Sequence, residues 1–234
     1  MWITTKTKLT AHEKKQVQTL IRQVHQVDRT FKAPYLSNQY NYFPGMPTFI
    51  LVYDSAAQLT GFTMIYADEA PQDGIVDLIV TVLPAQRHQG IGRMMLNRAQ
   101  SILDAFGYKQ INYITERVFL DANPNLLQKL NMRVADSEYQ MAMGQLVEPS
   151  TKRAATVRLM EAGDIMPLVP IFSSAFDDIS DEAAERYLTE SLQDASIVSY
   201  VLMVENTPIG YCAIDLSDYA YIFSVFIDDR YRSQ

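Results

Sequence analysis

Hydrophobic residues at the start of the chain recur with the periods of a strand and then of a helix. Residues 3–9 alternate apolar side chains with Thr and Lys, which predicts a short, half-buried strand. Thr10 follows, with Glu13 at the spacing of a capping box, and the next apolar residues lie at helical intervals. These apolar residues are Val17, Leu20, Ile21 and Val24.

The chain between residues 34 and 107 carries three more strand patterns and one strong helix pattern. The aromatic, turn-rich stretch 34–47 predicts a loop or a short helix. An apolar stripe at helical spacing predicts a helix over 91–106, which ends at Gly107, a common helix stop. The predicted strands are 49–53, 61–66 and 75–83, the first two joined as a hairpin through 54–60.

Shorter patterns follow this helix. A strand is predicted over 111–115. Asn123 and Pro124 predict the start of a short helix, with Asn123 as its cap and Pro124 in its first turn. Asn131 stands at the glycine-like position after that helix. One or two closing strands are predicted within 133–144.

The second half of the chain repeats the order of the first. The strand–helix–helix–strand–strand–strand order expected for 1–83 recurs as a strand at 156–159, helices at 164–176 and 180–193, and three strands. These three strands are 197–204, 208–214 and 219–227. The pattern predicts a complete domain at 1–148, a polar linker at 149–154 and a half-domain at 155–234.

Charge is divided unevenly between the two parts. The net charge of the chain is −7, but residues 1–150 hold 14 basic and 13 acidic residues, whereas 151–234 hold 6 and 14. Neither part is basic enough for a typical nucleic-acid binder. Apolar runs reach only about five residues, far below the roughly 20 that span a membrane. With no secretion segment and only one cysteine, Cys212, a cytoplasmic location is expected.

The segment from Val82 to Arg93 is the candidate ligand-binding motif of the sequence. It reads Val-Leu-Pro-Ala-Gln-Arg-His-Gln-Gly-Ile-Gly-Arg and joins a strand end to the start of the 91–106 helix. Gly90 and Gly92 let backbone N–H groups approach a ligand with no Cβ in the way. The first turn of a helix has unpaired donors and a positive dipole end, which suits a phosphate. The spacing matches neither the Rossmann fingerprint nor the P-loop.

The motif Arg87-His88-Gln89-Gly90-Ile91-Gly92 resembles the acetyl-CoA loop of the GNAT N-acetyltransferase superfamily, [R/Q]-x-x-G-x-[G/A]. The preceding Val80-Thr81-Val82 resembles the family's strand end, and the order of elements over 1–144 is similar too. The resemblance implies an α/β (α+β) GNAT acyl-CoA N-acyltransferase fold. Its central sheet is mixed, mostly antiparallel and flanked by helices.

The resemblance also implies acetyl-CoA as co-substrate. The loop amides of 88–93 would hold the pyrophosphate, and the main chain of Val80, Thr81 and Val82 would pair with the pantetheine arm. Asn125 is a further residue for the CoA arm, with a role at a helix start as the alternative. The sequence has no metal-ligand spacing, so no metal is expected. The implied loop residues are Arg87, His88, Gln89, Gly90, Ile91, Gly92 and Arg93.

Direct acetyl transfer needs a base for the ammonium and an acid for the leaving thiolate. Asp77 and Glu116 are the base candidates, and each is also readable as a structural or surface carboxylate. The family's acidic tyrosine falls on Leu127 in this sequence, so another group or water must protonate the thiolate. Tyr113 and Tyr139 are alternatives that nothing in the sequence selects.

The end of the second part resembles the same strand-and-loop segment. Asp229-Arg230-Tyr231-Arg232 stands where many family members have P-E-Y-R, and no glycines follow within this sequence. The half-domain is therefore expected not to hold acetyl-CoA in the usual way. Its apolar strand at 222–227 would lack a neighbour and invite packing on the first domain or homodimerisation.

Two functions follow from the resemblance. The first is an N-acetyltransferase that acts on a primary amine of a small molecule, a peptide N-terminus or a lysine. The second is a degenerate tandem GNAT protein that binds CoA for a sensory or structural role without fast turnover. A protein–protein interaction module is a third interpretation, and it requires the 87–93 loop to be idle.

Overall fold

The chain forms two compact units, Met1–Tyr139 and Gln140–Gln234. The structure is a computed structural model that describes residues 1–72, 74–139, 144, 155–176, 179–216 and 220–232. The linker predicted at 149–154 lies outside the described residues, so the division into 1–148 and 155–234 stays a prediction. In the described part of the chain, no helix combines the length and the apolar character needed to cross a membrane.

The described residues of the first unit form a five-stranded sheet and four α-helices. The strands are β1 (Trp2–Lys6), β2 (Phe49–Tyr53), β3 (Leu59–Tyr66), β4 (Ile75–Val82) and β5 (Gln110–Tyr113). The helices are α1 (Ala11–Asp28), α2 (Ile91–Phe106), α3 (Arg117–Ala122) and α4 (Leu126–Leu130). The strands lie in chain order, antiparallel from β1 to β4, and β5 runs parallel to β4. This is the mixed, mostly antiparallel sheet that the sequence predicts.

The two long helices cover opposite faces of this sheet. Alternate residues of β2 point to opposite faces, and Phe49 and Leu51 pack with α1, whereas Ile50 packs with α2. The predicted capping box of α1 is present. The Thr10 amide donates to the Glu13 carboxylate over 2.8 Å, and the Glu13 amide donates to the Thr10 hydroxyl over 3.2 Å.

Helix α2 approaches the sheet closely at Gly61. A Cβ at this position of β3 would lie 2.8 Å from Ile91 Cγ2 and 3.0 Å from Met95 Sδ. Both side chains are buried in the core between α2 and the sheet. The first turns of α2 can therefore rest on β3 only because residue 61 has no side chain.

The second unit repeats the antiparallel part of the first. Its elements are β6 (Ala155–Leu159), α5 (Ile165–Ala175), α6 (Asp181–Gln193), β7 (Ile197–Val204), β8 (Thr207–Asp215) and β9 (Tyr221–Ile227). The sheet order is β6-β7-β8-β9, antiparallel throughout, like β1 to β4. Ser180 caps α6 as predicted, because its hydroxyl accepts from the Ala183 amide over 3.2 Å.

The segment between α1 and β2 differs from the repeated order. Its described residues, 29–48, contain no helix, so the second helix of the repeat exists only in the second unit. Buried side-chain hydrogen bonds fix this loop instead. The Asn41 amide group donates to Thr48 Oγ1 over 2.9 Å, and Asn41 Oδ1 accepts from the Ala67 amide over 2.9 Å.

The region after β5 also departs from the expectation. Helix α3 was not predicted, and Asn123 lies at its C-terminal end rather than capping the next helix. Helix α4 begins after Asn125, and Asn131 adopts the predicted left-handed conformation at φ 52°. The described residues 133–139 contain no strand, so the closing strands are absent there. Residues 140–143 of that prediction lie outside the described chain.

Gly61→Ala is expected to destabilise the first unit. The new Cβ would meet Ile91 and Met95 at 2.8 and 3.0 Å, and overpacking of this kind costs about 1–3 kcal/mol. Chemical denaturation measures the free energy of unfolding. Gly45→Ala is the matched control, because no heavy atom lies within 4 Å of that Cβ. Equal unfolding midpoints for the two variants would contradict the close approach.

Candidate functional site

Strands β4 and β5 separate halfway along β4. Their parallel register ends at the pair Leu78–Tyr113, where the Ile114 amide also donates to the Leu78 carbonyl over 2.9 Å. On its other side, β4 stays paired with β3 as far as Val82–Gly61. The last four residues of β4 therefore extend beyond the β5 register while β3 still holds them.

The main chain of this extension points its peptide groups alternately to the two sides. The Leu83 amide donates to the Thr60 carbonyl, towards β3, over 2.9 Å. By the alternation of an antiparallel ladder, the N–H and C=O groups of Val80 and Val82 then point to the β5 side, and those of Thr81 point to β3. The predicted pairing with an extended ligand thus falls on Val80 and Val82. Thr81 contributes no main-chain group on that side.

The loop after β4 opens onto the N-terminus of α2. Gly90 is the N-cap residue with φ 83°, and no side chain caps this helix end. The first bond of the helix is from the Met94 amide to the Gly90 carbonyl, so the amides of 91–93 have no partner within the helix. No heavy atom lies within 4 Å of a Cβ at Gly90, and only Val82 Cγ2, at 3.9 Å, comes within 4 Å of one at Gly92. This open cradle of amides fits a pyrophosphate.

The side chains around the cradle differ in exposure. His88, Gln89 and Arg93 are exposed, whereas Ile91 is buried under the helix. His88 adopts a left-handed conformation with φ 64°, which turns the chain towards Gly90. The predicted loop residues from His88 to Arg93 are therefore brought together around the helix end.

Arg87 occupies a different environment from its predicted place beside the ligand. Its guanidinium forms a two-pronged ion pair with Asp28, the last residue of α1, over 2.8 and 2.5 Å. Its Nε donates to the Val82 carbonyl over 3.2 Å, and the guanidinium lies 5.6 Å from the centre of the Phe119 ring. The Arg87 side chain is thus occupied with protein groups at the start of the loop.

Asp77 lies on β4, three residues before Val80, and is half-buried. Burial raises the pKa of its carboxyl group, and the nearby charges of Asp68 and Glu138 raise it further. The charge of Lys32 and a hydrogen bond from Asn112 act in the opposite direction. A carboxylate with a raised pKa beside the opening between two strands can accept a proton from a bound ammonium group.

Glu116, the other base candidate, binds the backbone. Its carboxylate accepts from the Phe31 amide over 2.9 and 3.1 Å and from the Lys32 amide over 2.9 Å. It therefore holds the segment after α1 against the start of α3. Lys32 interacts with both candidates, because its amide donates to Glu116 and its charge lowers the pKa of Asp77.

The remaining predicted residues lie at exposed positions. Asn125 is the N-cap residue of α4 and makes no side-chain cap bond there. Tyr113 and Tyr139 are 39% and 93% exposed, and Leu127 occupies the first turn of α4. Among the described residues, no group of three or more His, Cys, Asp or Glu side chains could hold a metal ion.

Asp28, Lys32 and Phe119 are not among the site residues that the sequence predicts. One local signal was available for Asp28. A carboxylate at the last position of a helix faces the negative end of the helix dipole and is unfavourable without a cationic partner. The partner is 59 residues away in sequence, so this signal predicts an ion pair without identifying Arg87.

The separated β4 and β5 strands beside an uncapped, glycine-bearing helix end form an α/β arrangement that could hold an extended, phosphate-bearing ligand. The profile of the Acetyltransferase (GNAT) family matches residues 15–131. The chain belongs to the GNAT family and is an N-acetyltransferase of that type. Among curated protein sequences, none matches the chain.

Solved structures support the fold over both units. A GCN5-related N-acetyltransferase from Sphaerobacter thermophilus has a TM-score of 0.62 at 12% identity, covering 99% of this chain and 78% of its own. A tandem GNAT protein from the clavulanic acid biosynthesis pathway has a TM-score of 0.60 at 12% identity, covering 99% and 81%. At this identity the likeness establishes the fold alone.

Lys32→Met is expected to raise the pKa of Asp77 further, because the variant removes the cationic charge that lowers it. Carboxyl carbon shifts followed by NMR during a pH titration measure this pKa. Lys14→Met, on the exposed side of α1, serves as control. An unchanged Asp77 titration in Lys32→Met would show that the two groups do not interact.

Proposed function

We propose that the first unit transfers an acetyl group from acetyl-CoA directly to a primary amine. The observation that carries the proposal is the opening between β4 and β5, which leads to the uncapped N-terminus of α2. The acceptor amine belongs to a small molecule, a peptide N-terminus or a lysine.

The first unit offers acetyl-CoA two sets of backbone groups. The amides at the start of α2 would bind the pyrophosphate, with Gly90 and Gly92 leaving the approach free. The N–H and C=O of Val80 and the N–H of Val82 would pair with the amides of the pantetheine arm, as a neighbouring strand would. The Val82 carbonyl already accepts from Arg87 Nε. The bound thioester supplies the acetyl group and the leaving thiolate.

Asp77 is the proposed general base. It would take a proton from the acceptor ammonium, and the free amine would then attack the thioester carbonyl. Glu116 is less suited, because its oxygens already accept two backbone amides. With Leu127 at the family's tyrosine position, the proposed proton donor for the thiolate is water. The charges of Asp68 and Glu138 near Asp77 favour a cationic acceptor.

A CoA-binding protein without fast turnover is the second candidate. Leu127 favours it, because the usual acid of the family is replaced by a side chain that cannot donate a proton. An assay of thiol release across a panel of amines distinguishes the two. Acetyl-CoA-dependent thiol release that requires an amine supports the enzyme, and binding without release supports the second candidate.

Gly90→Val is expected to abolish acetyl-CoA binding, measured by calorimetry, because the side chain would fill the cradle. Gly107→Val is a matched control at the other end of α2. Both glycines are left-handed, at φ 83° and 86°, so both variants carry a similar backbone strain of roughly 1–2 kcal/mol. Only Gly90 lies at the proposed site.

Retained binding in Gly90→Val would disprove the loop assignment. If the unaltered protein binds no acetyl-CoA even at millimolar concentration, both candidate functions fail.

Asp77→Asn is expected to lower kcat by about 10²–10⁴-fold. In the unaltered protein, kcat/KM should rise with pH as Asp77 loses its proton, above the usual carboxyl range because burial raises its pKa. An acceptor with a pKa of about 10.4, the lysine value, keeps the amine's own titration apart. The variant should lack the acidic limb, and Glu116→Gln should keep it. An acidic limb that disappears in Glu116→Gln and persists in Asp77→Asn would reverse the assignment.

A further inference from the structure

The ion pair between Arg87 and Asp28 connects the acetyl-CoA loop to the end of α1. Both side chains are largely withdrawn from water, with 25% of Arg87 and 9% of Asp28 exposed. The two guanidinium nitrogens meet the two carboxylate oxygens, a geometry that fixes orientation as well as distance. The position of Asp28 is therefore set by the residue that begins the loop motif.

The chain that follows Asp28 is fixed a second time at residues 31 and 32. Glu116 accepts both backbone amides there, and it stands at the N-cap of α3. The same helix carries Phe119, whose ring lies against the Arg87 guanidinium. Segment 28–32 is thus held at one end by Arg87 and at the other by α3, which itself contacts Arg87.

The second unit has an arginine, Arg232, at the position that Arg87 has in the first. Comparison of the two arginines distinguishes the contact that they share from the contact described for Arg87. Arg232 follows β9 through a 3₁₀ turn, as Arg87 follows β4, and its Nε donates to the Ile227 carbonyl over 2.9 Å. Its ion pair is with Asp229 of the same turn, over 2.8 Å. The bond to the strand carbonyl is therefore common to both units, whereas the long-range pair with a helix end is described for Arg87.

We propose that Arg87 is a positioning residue that acts through Asp28 to hold segment 28–32, and with it Lys32, against Asp77 and the opening between β4 and β5. Its guanidinium does not bind the CoA phosphates, because Asp28 and the Val82 carbonyl occupy it. The catalytic consequence rests on the proposed function above, since it concerns the acceptor side of that site.

The test compares Arg87→Gln, Asp28→Asn and the double variant. Hydrogen exchange of the amides of 29–32 is followed by NMR in the ligand-free protein. Exchange at Phe31 and Lys32 is expected to become at least about tenfold faster in each single variant, with no further change in the double variant. Arg22→Gln, an exposed arginine of α1, should leave it unchanged. Circular dichroism checks that each variant remains folded.

Kinetics supply the second readout. For all three variants, kcat/KM for the acceptor amine should fall by about 10- to 100-fold, while the Kd for acetyl-CoA stays within about threefold of the unaltered protein. Arg87→Lys should recover part of the loss, because a single ammonium group reaches one carboxylate oxygen.

Three results would overturn the proposal. One is weaker acetyl-CoA binding in Arg87→Gln together with tighter binding in Asp28→Asn, which is the pattern of a phosphate ligand restrained by its neighbour. The others are additive effects in the double variant and unchanged exchange at 29–32. If acetyl-CoA fails to bind the unaltered protein, the proposed function fails, and the exchange data still decide the positioning role.

Discussion

The arrangement of the first unit depends on the early end of the pairing between β4 and β5. Because the register stops at Leu78 while β3 continues to hold β4, the N–H and C=O of Val80 and the N–H of Val82 face outward without a partner strand. The outward carbonyl of Val82 accepts from Arg87. An extended chain with its own amides is the natural partner for such groups. The same strand end leads into the loop and α2, so the outward groups of the strand and the unpaired amides of the helix end belong to a single stretch of chain.

The position of α2 on the sheet brings the N-terminus of this helix to the same end of β4 as the opening. Gly61 lets the first turns of α2 lie directly on β3, next to the strand end from which the loop departs. Arg87 then anchors the loop start to Asp28, and Glu116 anchors the following chain to α3. Core packing thus supports the start of α2, whereas two hydrogen-bonded carboxylates, Asp28 and Glu116, hold the segment after α1.

Periodicity and capping residues predict those helices and strands whose ends and buried faces are determined by residues close in sequence. The capping box at Thr10, the stripe that ends at Gly107 and the strands of both units follow from periodicity and caps, which neighbouring residues determine. The 29–48 segment was not settled by such patterns, because Asn41 fixes it through bonds to residues up to 26 positions away. The loop motif indicated the cradle, but the partner of Arg87 could not be found, since ion pairs between distant elements leave no periodic signal.

The two units have the same backbone geometry directly after β4 and β9, although the residues at this position, an apolar one and an acidic one, differ in chemistry. Leu83 and Asp228, which directly follow the strand in each unit, both have φ −50°, with ψ 125° and 128°. The 3₁₀ turn and the arginine bound to the strand carbonyl follow in both. In the first unit the two glycines of the loop motif follow this turn along the chain. The glycines are needed for access to the helix amides, and the turn itself is set by the strand end and its arginine. The similarity of the two units thus extends to the backbone conformation at this turn.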